Sequence, residues 1–162
     1  MNINPIYDFL NSQASTSIAG FLIIIISIVA IYMQRKTTKQ KSTIEYLRIL
    51  STDDRLKEAG KILRIYYNDN EKNIAIIASS DKKDIEEIKL EVVFLLNYFE
   101  SLAIGVKVGI YDFNTVRLSR KQQIIHTSKY SQSYFTEIRK KTGNPLLFEN
   151  LEWLSNKLSG ET

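Results

Sequence analysis

From Phe9 to Gln34 the chain carries no charged side chain, and the middle of that run, Ile18 to Met33, reads IAGFLIIIISIVAIYM. A bilayer's hydrocarbon core is about 30 Å thick, so a helix that crosses it needs roughly 20 mainly apolar residues at ~1.5 Å each. The run meets that length with room for tilt. Its Ser and Thr hydroxyls can bond back to the helix's own carbonyls. Ile and Leu fall on every face, so no side is left for water, which separates this segment from the helix of a soluble core. The spacing predicts a transmembrane helix over residues 14–34, preceded by a short extracytoplasmic N-terminus, 1–13, whose only charge is Asp8.

The flanks set the direction. No Lys or Arg precedes the apolar run, whereas Arg35, Lys36, Lys39 and Lys41 follow it at once. A cleaved signal peptide has the opposite layout, with cations before and small residues after, so an uncleaved anchor is expected. The positive-inside rule then places the rest of the chain in the cytoplasm. The four cations form a basic juxtamembrane flank over 35–43. They can attract anionic lipid at ~1 kcal/mol each, although fixing topology is their plainer role.

Residues 42–162 hold 18 basic and 17 acidic side chains, so the chain's net charge of +4 is largely a property of that flank. About 120 residues suffice for one domain with a core of its own. There is no Cys and a single His, His126, which excludes disulfides, thiolate metal sites and paired-His zinc motifs. No metal or other cofactor is implied. With only two Pro and six Gly, the composition favours long helices over sheet.

Ile44, Leu47 and Leu50 keep helical spacing after the flank, so the anchor helix continues or restarts there. Ser51-Thr52-Asp53-Asp54 supplies caps and acids for a new helix start, with Leu56, Ala59, Leu63, Tyr66 and Tyr67 on one face and Asn68-Asp69-Asn70 ending it. Ile74 to Ala78 is a short apolar run that fits either strand or helix, and in an otherwise helical chain a helical turn or short helix is expected. Ser79-Ser80-Asp81 opens a helix running to about Val108, on which Ile85, Ile88, Val92, Leu95, Leu96, Phe99, Leu102, Ala103 and Val106 form a wide stripe. Gly109 is placed to cap it. Asp112 caps a basic segment from Phe113 to Thr142, with a break near His126–Ser131. Thr142-Gly143-Asn144-Pro145 is a stop and restart, with Gly143 as cap, Asn144 as N-cap and Pro145 at the first helical position, before a last helix that buries Leu147, Leu151, Leu154 and Leu158. The expected fold is all-α: one transmembrane helix and a cytoplasmic domain, 44–160, of about four to five helices.

Several of these stretches carry a resemblance. Leu96-Asn97-x-x-Glu100, Ile104-Gly105, Gly109-Ile110-x-Asp112, the Arg139…Gly143-Asn144-Pro145 turn and Glu152-Trp153-Leu154, with the helix around Leu47, resemble a family of small bacterial and phage-encoded proteins. That family is known only as a domain of unknown function, and its members often carry one N-terminal transmembrane helix. The resemblance covers roughly residues 40–158. It implies fold and architecture and brings no activity with it.

Asn97 and Glu100 stand out as polar residues three apart on the most apolar helix. A carboxylate there can serve as a general base or line a ligand cleft. The plainer reading is a buried network in which Arg117 or Arg139 on a neighbouring helix holds Glu100, with Asp112 as a further polar member. Tyr130, Tyr134 and Phe135 on the basic segment invite a nucleic-acid reading, but their spacing puts them on the core face, and specific nucleic-acid binding is not expected. Ser12, Thr16, Gly20 and Ser27 share a stripe of the anchor that permits close packing of a second copy. The main expectation is therefore a membrane-anchored, non-catalytic interaction or sensing protein, in contact with lipid and with a protein partner or itself. The phage-encoded relatives suggest a place in phage–host conflict or membrane-proximal regulation. A membrane-perturbing effector triggered by self-association and an enzyme or ligand sensor using Glu100 are the alternatives.

Overall fold

Helix signals dominate the chain: most elements carry a periodic apolar face, and the helices that begin at Asp54, Ile74 and Phe113 also start on a side-chain cap. A computed structural model describes residue 6 and residues 13–69, 73–80 and 82–160. Asp8, Ser12, Asn70 and Asp81, to which the sequence assigns roles above, lie outside the described residues, as does the side chain of Thr16. Among the described residues there are seven helices and no strand: α1 Gln13–Thr52, α2 Asp54–Asn68, α3 Ile74–Ser79, α4 Lys83–Lys107, α5 Phe113–Tyr130, α6 Gln132–Thr142 and α7 Glu149–Ser159. The chain divides into two compact units, residues 1–39 and 40–162.

In the first unit α1 is a helix long and apolar enough to cross a membrane, with a mean hydropathy of 2.3 over its most apolar window. Its large side chains from Ile18 to Met33 are all exposed. Ser27 Oγ donates to the Ile23 carbonyl at 2.8 Å, so the hydroxyl is satisfied within the helix.

The second unit is built around α4. Val92, Leu95, Leu96, Phe99, Leu102 and Ala103 are essentially sealed from solvent, and each large apolar side chain so buried contributes about 1.5–3 kcal/mol. α2 and α7 pack on α4, α7 also packs on α5, and the six-residue α3 packs on α6. The end of α1 joins this core through Thr43, Leu47 and Leu50, all buried. Asp53 caps α2 by accepting from the backbone N–H of Arg55 and Leu56. Asn73 Oδ1 accepts from the Ala75 N–H and starts α3.

α4 ends as the sequence predicts. Val108 closes it and Gly109 follows at φ 82°, a left-handed geometry that glycine adopts without strain. Gly105 matters for a different reason: a Cβ there would overlap the Tyr111 ring. Asp112 caps α5, accepting from the Thr115 N–H at 2.8 Å, while its own N–H donates to Thr43 Oγ1 at 2.8 Å. The expected break in the basic segment falls at Ser131, whose N–H turns back to the carbonyls of Thr127 and Ser128.

The restart after Gly143 differs from expectation. Asn144 Oδ1 accepts from the Leu146 N–H, which makes a local turn and not a helix cap. Residues 145–148 form turns, Phe148 takes a left-handed φ of 62°, and α7 begins only at Glu149. Phe148 has no side-chain oxygen with which to cap, so the helix start must be satisfied from elsewhere. On α7, Trp153 has Lys157 Nζ 5.0 Å and Lys107 Nζ 5.7 Å from its ring.

Candidate functional site

Glu100 supplies the missing cap. Its Oε1 accepts from Asn150 Nδ2 at 2.8 Å and from the Asn150 N–H at 3.3 Å, and its Oε2 accepts from the Leu151 N–H at 2.7 Å. Those two backbone groups are among the first N–H groups of α7, which have no partner within their own helix. A carboxylate at that end also complements the helix dipole. Neither arginine expected to hold Glu100 does so. Arg139 Nε and Nη2 instead donate to the Leu147 carbonyl at 2.9 and 2.7 Å, and Nη2 pairs with Glu152. Arg117 is exposed. The reason is geometric: Glu100 lies over the start of α7, where backbone donors already converge on its oxygens.

Asn97 is exposed and makes no part of that cap. It lies with Glu100 on a groove of about 460 Å³ that runs between α4, α6 and the 143–148 turn. Lys89, Val93, Asn97 and Glu100 line one wall at helical spacing, and Tyr134, Ile138 and Phe148 line the other. The volume lies within the ~300–1,000 Å³ usual for small-ligand sites. Tyr134 is fully buried, and its hydroxyl has no hydrogen-bond partner among the described residues. Burial pushes its phenol up to about 12, so the group stays a neutral O–H able both to donate and to accept. A buried unpaired hydroxyl is destabilising by about 1–3 kcal/mol, and a ligand that reached it would remove that penalty.

The five candidate residues thus separate. Asn97 and Glu100 share the groove, Arg139 clamps the turn beside it, Asp112 caps α5, and Arg117 stands in solvent. Sequence reasoning missed the site role of Tyr134, Lys89 and Phe148. Lys89, Val93 and Asn97 do recur every four residues beside the main stripe of α4, and that second face was the available signal. Arg35, Lys36 and Lys41 are exposed and Lys39 is half-buried. The aromatics of the basic segment stack within the protein, Tyr130 on Tyr67 at 4.1 Å and Phe135 on Phe148 at 5.3 Å, so their ring faces are already covered. Among the described residues no three His, Cys, Asp or Glu side chains gather as a metal site.

The family model for a domain of unknown function, DUF4760, matches residues 17–158. The match takes in most of the apolar segment as well as the helical unit that follows it. No curated protein and no solved structure matches the chain.

Proposed function

The chain belongs to the DUF4760 family, a domain of unknown function, and from that premise we propose that it is a single-pass membrane protein whose helical unit faces the cytoplasm and works by docking. The groove between α4 and α6 is its site, and the partner offers an apolar segment whose seating shifts the groove wall enough to bring a polar group to the Tyr134 hydroxyl. The observation that carries the reading is the pairing of a satisfied carboxylate with an unsatisfied hydroxyl. Glu100 has both oxygens engaged by α7, so serving as a base would uncap a helix. Tyr134, across the same groove, is left waiting for a partner. The uncharged run and the cations after it support the anchored, cytoplasm-facing orientation.

The test places a photo-crosslinking amino acid at Asn97, exposed on the groove, in the full chain in its own membrane. A discrete adduct is expected there and none from the same probe at Arg117, which lies outside the groove. Tyr134→Phe should weaken the adduct while leaving the protein folded. Equal labelling at both positions, or no adduct at either, would overturn the docking assignment.

A further inference from the structure

A second cavity, of about 690 Å³, opens between α2 and α5. Lys57, Lys61 and Arg64 line it from α2, at intervals of four and three residues that put them on one helix face. Gln123 and His126 line it from α5, and among the described residues no Asp or Glu does. The Tyr130 hydroxyl meets His126 Nδ1 at 3.1 Å, which fixes the imidazole and leaves Nε2 for a ligand. Asp54 and Glu58 do hold Lys57 and Lys61 at 2.8 Å, each three residues back along α2. Pairs of that kind at the surface are weak and give way to a stronger anion. Arg64 is exposed, and no hydrogen bond or ion pair with another described residue engages it.

Gly60 lies within the same basic face. Glycine inside a helix is destabilising relative to alanine, yet nothing in the fold requires it here. A Cβ at Gly60 would meet no heavy atom within 4 Å. Gly60 lines the cavity, so a larger side chain at this position would take up part of its space.

We infer that the cavity between α2 and α5 binds a ligand bearing phosphate groups, with Lys57, Lys61 and Arg64 as its cationic contacts and Gln123 and His126 as further polar contacts. A guanidinium and ammonium groups facing a phosphate form charge-assisted hydrogen bonds. The cavity is larger than orthophosphate needs and fits a polyphosphate or the phosphorylated headgroup of a lipid, which share that chemistry.

The full chain in phosphatidylcholine nanodiscs is melted with and without sodium tripolyphosphate, and again with part of the phosphatidylcholine replaced by phosphatidic acid. A ligand that binds only the folded state raises the melting temperature. A saturable rise with tripolyphosphate assigns a soluble ligand, and a rise only with phosphatidic acid assigns a lipid headgroup. Arg64→Gln should weaken the effect about tenfold, as loss of one charge-assisted contact does. Gly60→Leu should plug the cavity and abolish the effect while melting no lower than the parent without ligand. Arg117→Gln, outside the cavity, should change neither response. No rise with either probe, or a rise that Arg117→Gln weakens as much as Arg64→Gln, overturns the assignment. Should Gly60→Leu not fold, the exposed Arg64→Gln variant decides the outcome alone.

Discussion

Tyr46 and Tyr98 hold one another through the backbone. The Tyr46 hydroxyl donates to the Tyr98 carbonyl at 3.0 Å, the Tyr98 hydroxyl donates to the Tyr46 carbonyl at 2.8 Å, and the two rings stack at 4.8 Å. Thr43, one turn earlier on α1, meets the backbone of Asp112. The end of α1 is thereby fastened at two points to the core helix and to the turn after it.

Replacing either tyrosine by Phe keeps the stack and removes one bond. Tyr46→Phe and Tyr98→Phe should each lower stability by about 1 kcal/mol, a shift of a few degrees in melting temperature for a unit of this size. The double variant should cost less or more than the sum, because the bonds share two residues. Strictly additive losses in chemical denaturation would show that the two bonds act independently.

Alkali attacks the same contact. Burial pushes the Tyr46 phenol up to about 12 and the Tyr98 phenol further, against 10.0 for a free side chain, and Tyr134 is raised to about 12 in the same way. The folded chain keeps these protons where the unfolded chain releases them. Stability is therefore unaffected by them below pH 10 and falls as pH rises from 10 towards 12. Phenolate absorbance should rise in step with loss of helical circular dichroism across that window, and Tyr134→Phe should shrink the step. Ionisation of these phenols with the helices intact would contradict their burial.

Gly105 gives way to the Tyr111 ring, and a methyl group there would overlap it. Gly105→Ala should thus destabilise by about 1–3 kcal/mol as an overpacking change, although alanine is the better helix former. Tyr111→Leu placed behind it should recover part of the loss. A Gly105→Ala protein that melts higher than the parent would mean that the ring moves aside freely.

Glu100 is expected to behave as a helix cap. Glu100→Gln retains one acceptor oxygen but loses the charge at the start of α7, and should cost about 1 kcal/mol. Glu100→Leu leaves the Asn150 and Leu151 N–H groups unpaired and should cost about 1–3 kcal/mol. Glu100→Gln and Asn150→Ala should be strongly coupled, whereas Glu100→Gln and Arg117→Gln should add. A Glu100→Gln protein that is fully stable yet loses its biological effect would turn the assignment towards chemistry at Glu100.

Orientation is tested in cells. A reporter joined after Thr162 should be active only if it functions in the cytoplasm, and alkaline phosphatase at that position should stay silent. Neutralising Arg35, Lys36, Lys39 and Lys41 together should scramble that result while the helical unit still folds. Strong phosphatase activity from the parent fusion would reverse the topology.

The helices were legible because their signals are local. Asp53 and Asp112 cap within three residues of themselves, Gly109 and Gly143 end helices in the left-handed conformation, and the stripe on α4 repeats with the helical period. The site was legible only as a pair of odd residues. Asn97 and Glu100 do lie on the groove, but the partner of Glu100 is the backbone of α7, fifty residues away. Backbone donors carry no sequence signature, so arginines were the only visible candidates. The start of α7 was misplaced for the same reason. Pro145 and Asn144 look like a helix start, and nothing local reveals that a distant carboxylate caps the chain four residues later.

Trp153 is the chain's single tryptophan. It rides on α7 with two ammonium groups near its ring, one contributed by α4 and one by its own helix. Indole emission responds to charges at that range, so a lifting of α7 away from Lys107 would change the colour and yield of one well-defined fluorophore. The protein therefore carries its own optical gauge of whether the Glu100 cap is closed, readable without attaching any dye.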